Sequence, residues 1–208
     1  MPITLGDIRA RVIDSLKRRD VPLATLDRFI TDGIRRIQFN LRTPLSEAQA
    51  EVVTSGSFTG KVNVPNDLLN LISLQVNGME LTQRSVSEVR RVQTQVGIGQ
   101  PTYYCRVENQ FLIAPLPGPG ALVHIDYHQD FAALVNETDT NPLIDVCPQL
   151  VTWGALINAG DWSLDPARQA AWAQGFATAF AEIQEQADRD ILLNASMAPC
   201  HAIDGGIR

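Results

Sequence analysis

His124 and His128 stand four residues apart in Leu122-Val-His-Ile-Asp-Tyr-His128, where apolar and polar residues alternate. On a strand that spacing turns both imidazoles to one face, and with Asp126 between them read as pointing away, a metal ion would find two ligands and no third. Structural or surface histidines are the plainer reading. A soluble enzyme, or a small-molecule- or metal-binding domain with a site near His124/His128, is kept as the alternative function. Gly97-Ile-Gly-Gln-Pro101 starts like a dinucleotide loop, but it lacks the third glycine and leads into a strand rather than a helix. The phosphate-binding Gly-x-x-x-x-Gly-Lys-Ser/Thr, the nucleophile elbow Gly-x-Ser-x-Gly and the zincin His-Glu-x-x-His do not occur. Cys105, Cys147 and Cys200 are odd in number and never paired as Cys-x-x-Cys, so they read as reduced thiols rather than a disulfide or zinc framework. No catalytic residue, cofactor or metal ligand is assigned, and the chain is not expected to be an enzyme.

Charge narrows the partners. The formal net charge of −6 divides unevenly: residues 1–42 carry a net +4 and residues 43–208 a net −10. Lys17-Arg18-Arg19 and Arg35-Arg36 could meet phosphates, but Asp14, Asp20, Asp27 and Asp32 interrupt that field, so sequence-specific nucleic-acid binding is not expected. No run of about 18 apolar residues exists, and Arg9, Arg11, Lys17, Arg18 and Arg19 crowd the first twenty positions. Neither a membrane span nor a signal peptide is therefore expected, and the chain is read as starting its life in a cytoplasm.

The elements that would carry these residues follow from periodicity. Thr4 to Asp7 reads as a capping box, and Leu5, Ile8, Val12 and Leu16 then recur at helical spacing to about Arg19. After Asp20-Val-Pro22, a second amphipathic stripe runs through Leu26, Phe29, Ile30, Ile34, Ile37 and Leu41. From Leu45 the period falls to two, with the hairpin signal Asn77-Gly78. A short helix capped by Ser85 follows, and then strands at Tyr103–Val107, Gln110–Ala114 and Ala121–Tyr127, read as one compact antiparallel sheet braced by Pro115 to Gly120. Pro148 and Asp165-Pro166 open two more helices, the last bearing Trp172, Phe176, Phe180, Ile183, Ala187 and Ile191 on one stripe. The expected fold is α+β: mainly a four-helix bundle with an inserted antiparallel β-domain and a flexible C-terminal tail. Its expected boundaries are 1–44, 45–135, 136–194 and 195–208.

The linear order of these features is informative. Asp27-Arg-Phe-Ile-x-Asp-Gly-Ile-Arg-Arg-Ile37 precedes Val64-Pro-Asn-Asp-Leu-Leu-Asn-Leu71 and Ser73-Leu-Gln-Val-Asn-Gly-Met-Glu-Leu81. Gly99-Gln-Pro-Thr-Tyr-Tyr104, Leu112-Ile-Ala-Pro-Leu-Pro117, Tyr127-His128 and the helix from Pro148 to Trp162 follow, then Arg168, Trp172 and Phe176. From about residue 4 to 194 the chain resembles the head-to-tail adaptor (connector) proteins of tailed bacteriophages, the SU10-type adaptors and their gene-transfer-agent relatives.

That resemblance implies a structural virion protein at the head-tail interface, without enzymatic activity or cofactor. It implies a ring of twelve copies that docks on the portal protein, connects it to the tail or to a stopper or nozzle protein, and lines the path of passing DNA. It also implies a C-terminal tail reaching into the portal, for which Met197, Pro199, His201, Ile203, Ile207 and Arg208 are the candidate contacts. The charge asymmetry makes Arg18, Arg19, Arg35, Arg36, Glu182, Glu185 and Asp188 candidates for the subunit interface, because copies in a ring meet through two different patches. Pro117 on the proline-rich loop joins them.

Overall fold

A computed structural model describes residues 2–18, 20–41, 44–55, 58–163 and 165–196. The chain divides into two compact units, one made of residues 1–45 and 132–208, the other of residues 46–131.

The first unit opens with α1 (Leu5–Leu16), whose capping box forms: the Thr4 hydroxyl accepts from the Asp7 amide, and the Asp7 carboxylate accepts from the Thr4 amide at 3.0 Å. Lys17 ends it in the left-handed region at φ 54°. Helix α2 (Leu23–Asn40) buries Leu26, Phe29, Ile30, Ile34 and Ile37. After α4 (Pro142–Val146), whose first turn Asn141 caps, helix α5 (Pro148–Asn158) is apolar on nearly every side and buries Leu150, Val151, Ala155 and Leu156. A helix of that composition must be surrounded. Helices α1, α2 and α7 (Pro166–Ser196) pack against it, with the short α6 (Gly160–Ser163) at the turn before α7. Where α2 meets α5, Gly33 and Gly154 face each other, and a Cβ on Gly33 would lie 2.8 Å from the Ala155 nitrogen.

The second unit holds two four-stranded sheets. One has the order β1 (Glu47–Val53), β8 (Leu122–Gln129), β3 (Leu68–Val76), β4 (Met79–Glu80), all antiparallel. The other has β2 (Lys61–Asn63), β7 (Gln110–Ala114), β6 (Tyr103–Val107) and β5 (Thr82–Gln83), and its β5–β6 pair is parallel. Phe111, Ile113, Leu74, Val76, Val123 and Ile125 form the principal core, and α3 (Val86–Val96, capped by Ser85) covers a smaller cluster around Val89 and Cys105.

Two expectations need correction. The α+β class holds, but the four-helix bundle with an inserted domain does not: the described residues form α1 to α7 and two four-stranded sheets. The bundle reading failed because amphipathic stripes say which face is buried and not how many partners a fully apolar helix such as α5 will gather. The strands after Gly99 do not form one antiparallel sheet either. Strands β6 and β7 pair as a hairpin, but the proline-rich loop carries β8 into the other sheet, between β1 and β3.

Candidate functional site

Strand β8 places His124, Asp126 and His128 on the same face, opposite the buried Val123, Ile125 and Tyr127. Side chains alternate with period two, so the expectation that Asp126 points away from the histidines was wrong. Neighbouring strands supply its partners. The Gln49 amide donates to the Asp126 carboxylate at 3.0 Å, and the Ser73 hydroxyl donates to it at 2.6 Å. His124 Nδ1 lies 3.2 Å from the Glu51 carboxylate, although not in hydrogen-bonding alignment. His128 Nδ1 is 2.8 Å from the hydroxyl of the buried Ser46. The two imidazoles thus answer to different partners on either side of Asp126. Among the described residues, no group of three or more His, Cys, Asp and Glu side chains is placed to hold a metal ion. Ser46 and Glu51 were missed in the sequence because only the register Glu51↔His124 and Glu47↔His128 brings them near.

The proline-rich loop is held by one buried side chain. Thr54 Oγ1 donates to the Gly118 carbonyl at 2.8 Å and accepts from the Ala121 amide at 2.9 Å, while its own carbonyl accepts from Gly120. Pro117, one of the interface candidates, is buried. Leu116 exchanges backbone hydrogen bonds with Gly97 and Gly99 on the loop's other side.

In the first unit, Arg35 and Arg36 are exposed on α2, and Glu182, Glu185 and Asp188 are exposed on α7. Glu185 pairs with Arg189 one turn on, and Asp188 accepts from Gln184. Arg18 is tied to its own unit: its guanidinium donates to the Trp162 carbonyl at 2.5 Å. The basic residue that sequence reasoning passed over is Arg9, which is buried and holds Asp27 through a two-point contact at 2.7 and 2.9 Å, with Glu137 3.5 Å away. Arg168 likewise donates to the last carbonyls of α1, at Ser15 and Leu16, and lies over the Trp172 ring. Arg19 and the tail residues Met197, Pro199, His201, Ile203, Ile207 and Arg208 lie outside the described residues. Elsewhere in this unit, Leu45, Val146, Pro148, Ala179 and Ile183 line an open cleft of about 610 Å³.

Asp126 and His128 on β8 are partnered by Gln49, Ser73 and Ser46, whereas His124 Nδ1 meets Glu51 without a hydrogen bond. A family model described as SU10 adaptor protein matches residues 3–199. The chain belongs to the SU10 adaptor protein family. No curated protein matches it. Family membership makes this SU10 adaptor a structural protein of a bacteriophage and implies a place in the virion. The resemblance read from the order of motifs is thereby shown. No helix among the described residues is long and apolar enough to cross a membrane.

Proposed function

We propose that the protein is the head-to-tail adaptor that docks on the portal and connects it to the tail or to a stopper or nozzle protein. It does so as a ring, of twelve copies, that encloses the path of the DNA. The observation that carries this reading is the family match over residues 3–199, nearly the whole chain. Two further features support it. Arg35 and Arg36 are exposed on α2 and Glu182, Glu185 and Asp188 on α7, so two different helices offer opposite charges to the two surfaces of a heterologous ring contact. The net −10 carried by residues 43–208 suits a conduit, because a strongly basic wall would retain the phosphates passing it. The tail candidates from Met197 to Arg208 are assigned to the portal contact. No observation favours a site at His124/His128.

The test mixes the purified chain, whole and truncated after Asn194, with the portal ring of the same phage and measures association by sedimentation and mass. Binding in fixed ring stoichiometry by the whole chain alone supports both the adaptor role and the tail's docking role. Binding by both versions removes the tail from the contact. Failure of both to associate with a closed portal ring overturns the proposal. Reversing Arg35 and Arg36 to Glu is expected to weaken ring formation and leave the monomer folded, because both side chains are exposed.

A further inference from the structure

Strand β1 is an edge. It pairs with β8 alone, over seven residues in unbroken one-to-one register, whereas the β3–β8 pairing carries two register shifts. The direction of its free groups follows from its neighbours. The Thr54 amide donates to the Ala121 carbonyl, and on the opposite side of β8 the Asn77 amide donates to the Leu122 carbonyl. Antiparallel ladders alternate, so Ala48, Ala50 and Val52 turn their backbone groups toward β8, and Glu47, Gln49, Glu51 and Val53 turn theirs outward. None of those outward groups has a hydrogen-bond partner among the described residues of its unit.

Edges of this length are commonly interrupted by proline, a bulge or a very short strand, and β1 has none of these. A second feature lies directly beneath it. Ala50 and Val52 of β1, with Ile125 of β8, form one wall of an open groove of about 700 Å³. Asn63 at the end of β2, Val64 after it, Glu108 and Asn109 between β6 and β7, and Gln110 at the start of β7 form the other. A strand added to β1 would continue the alternation of the sheet: one set of its side chains would enter this half-apolar groove, and the other would lie beside Glu47 and Glu51 on the outer face.

We propose that the β1 edge binds an extended segment of another protein chain, one that alternates apolar with basic residues, by strand addition. A second copy of β1 is the poorer occupant, because antiparallel self-pairing about Gln49 sets Glu47 of each copy opposite Glu51 of the other. The groove selects the apolar set, the carboxylates select the basic set, and the outward amides and carbonyls supply a sequence-independent backbone ladder. This surface goes beyond the adaptor reading and does not depend on portal docking.

The test uses the full chain and a capped peptide of about nine residues, alternating Val and Lys and so long enough to span β1. The controls are its Val/Glu counterpart and a Val/Lys version with alternate amides N-methylated. Binding is followed by anisotropy and by residue-resolved amide exchange. The Val/Lys peptide is expected to slow exchange at Glu47, Gln49, Glu51 and Val53 about ten-fold when nine sites in ten are filled, with both controls inactive. Gln49→Pro removes one outward N–H and no backbone bond to β8, although the side-chain bond to Asp126 goes with it, and it is expected to abolish binding. Should that variant fold poorly, Glu47→Lys with Glu51→Lys replaces only exposed side chains and is expected to turn preference to the Val/Glu peptide. Protection absent from those four amides, or equal binding by the N-methylated peptide, overturns the proposal. Protection that rises with protein concentration when no peptide is present assigns the edge to a second copy and overturns the choice of partner.

Discussion

Gly33→Ala is expected to destabilise the first unit although it adds a better helix former to α2. The new Cβ would sit 2.8 Å from the Ala155 nitrogen and 2.9 Å from the Gly154 carbonyl carbon, both backbone atoms of α5 that cannot rotate aside. Ordinary contact begins near 3.4 Å, so the helices must part by roughly half an ångström or more where they cross. A gap of that size forfeits about a quarter or more of each dispersion well along the crossing. Overpacking of this kind costs about 1–3 kcal/mol, and the upper end applies where backbone meets backbone. The helix-propensity gain of Ala over Gly returns about 1 kcal/mol. The net expectation is a loss of about 2 kcal/mol, or roughly 4–8 °C in Tm for a chain of this length. Gly154→Ala is the control: its Cβ would meet Gly33 Cα at 3.3 Å and nothing nearer, so it is expected to stay within about 1 kcal/mol of the parent. Helical circular dichroism against temperature and urea measures both. The reasoning fails if Gly33→Ala matches or exceeds the parent, or if Gly154→Ala is the more damaging of the two.

Thr54→Val keeps the shape of the side chain but removes its bonds to Gly118 and Ala121, and a loss of about 1–3 kcal/mol is expected in urea denaturation. The Asp139 carboxyl is held below its ordinary 3.8 by the backbone amides of Asn136 and Val135, and Asp7 is lowered by the Thr4 amide and hydroxyl. Groups so depressed stabilise the fold above their unfolded values, and the contribution is lost as pH falls through the folded ones. Asp139→Asn should therefore be less stable than the parent at neutral pH, with the difference closing below about pH 4 in acid titrations. Burial raises the thiols of Cys105 and Cys147, so both are expected to resist a disulfide reagent in the native state and to react once urea opens the fold.

Local signals were read correctly where the cause is local. The Thr4–Asp7 capping box, the Ser85 cap, the Asn77-Gly78 turn and the Asp165 carboxylate capping the amides of Ala167 and Arg168 each need only a few neighbouring residues. Strand partners were not legible in this way. Nothing near Leu122 says that β8 will lie between β1 and β3, because that pairing depends on which apolar faces remain uncovered after the chain has passed the proline loop. The candidate site suffered from the same limit. His128 could be placed on a face, but Ser46, 82 residues away, could not be brought to it. Arg9 looked like one more charge on a basic helix, and only the folded unit shows it buried against Asp27. The short β5 and α4 escaped because two to five residues carry too little periodicity to measure.

The first unit is built from both ends of the chain, and this orders events on the ribosome. Helices α1 and α2 are complete by Asn40, yet the helix they bury themselves against starts at Pro148. At about 5–20 residues per second, the intervening hundred or so residues take roughly 5–20 s to synthesise. Through that interval the apolar stripe of Leu26, Ile30 and Ile37 has no α5 to cover it, whereas residues 46–131 already contain every strand of both sheets. A chain released after residue 131 would hold every strand of the β-unit beside a helix pair with no α5 to cover it, and is expected to aggregate more readily than the whole chain.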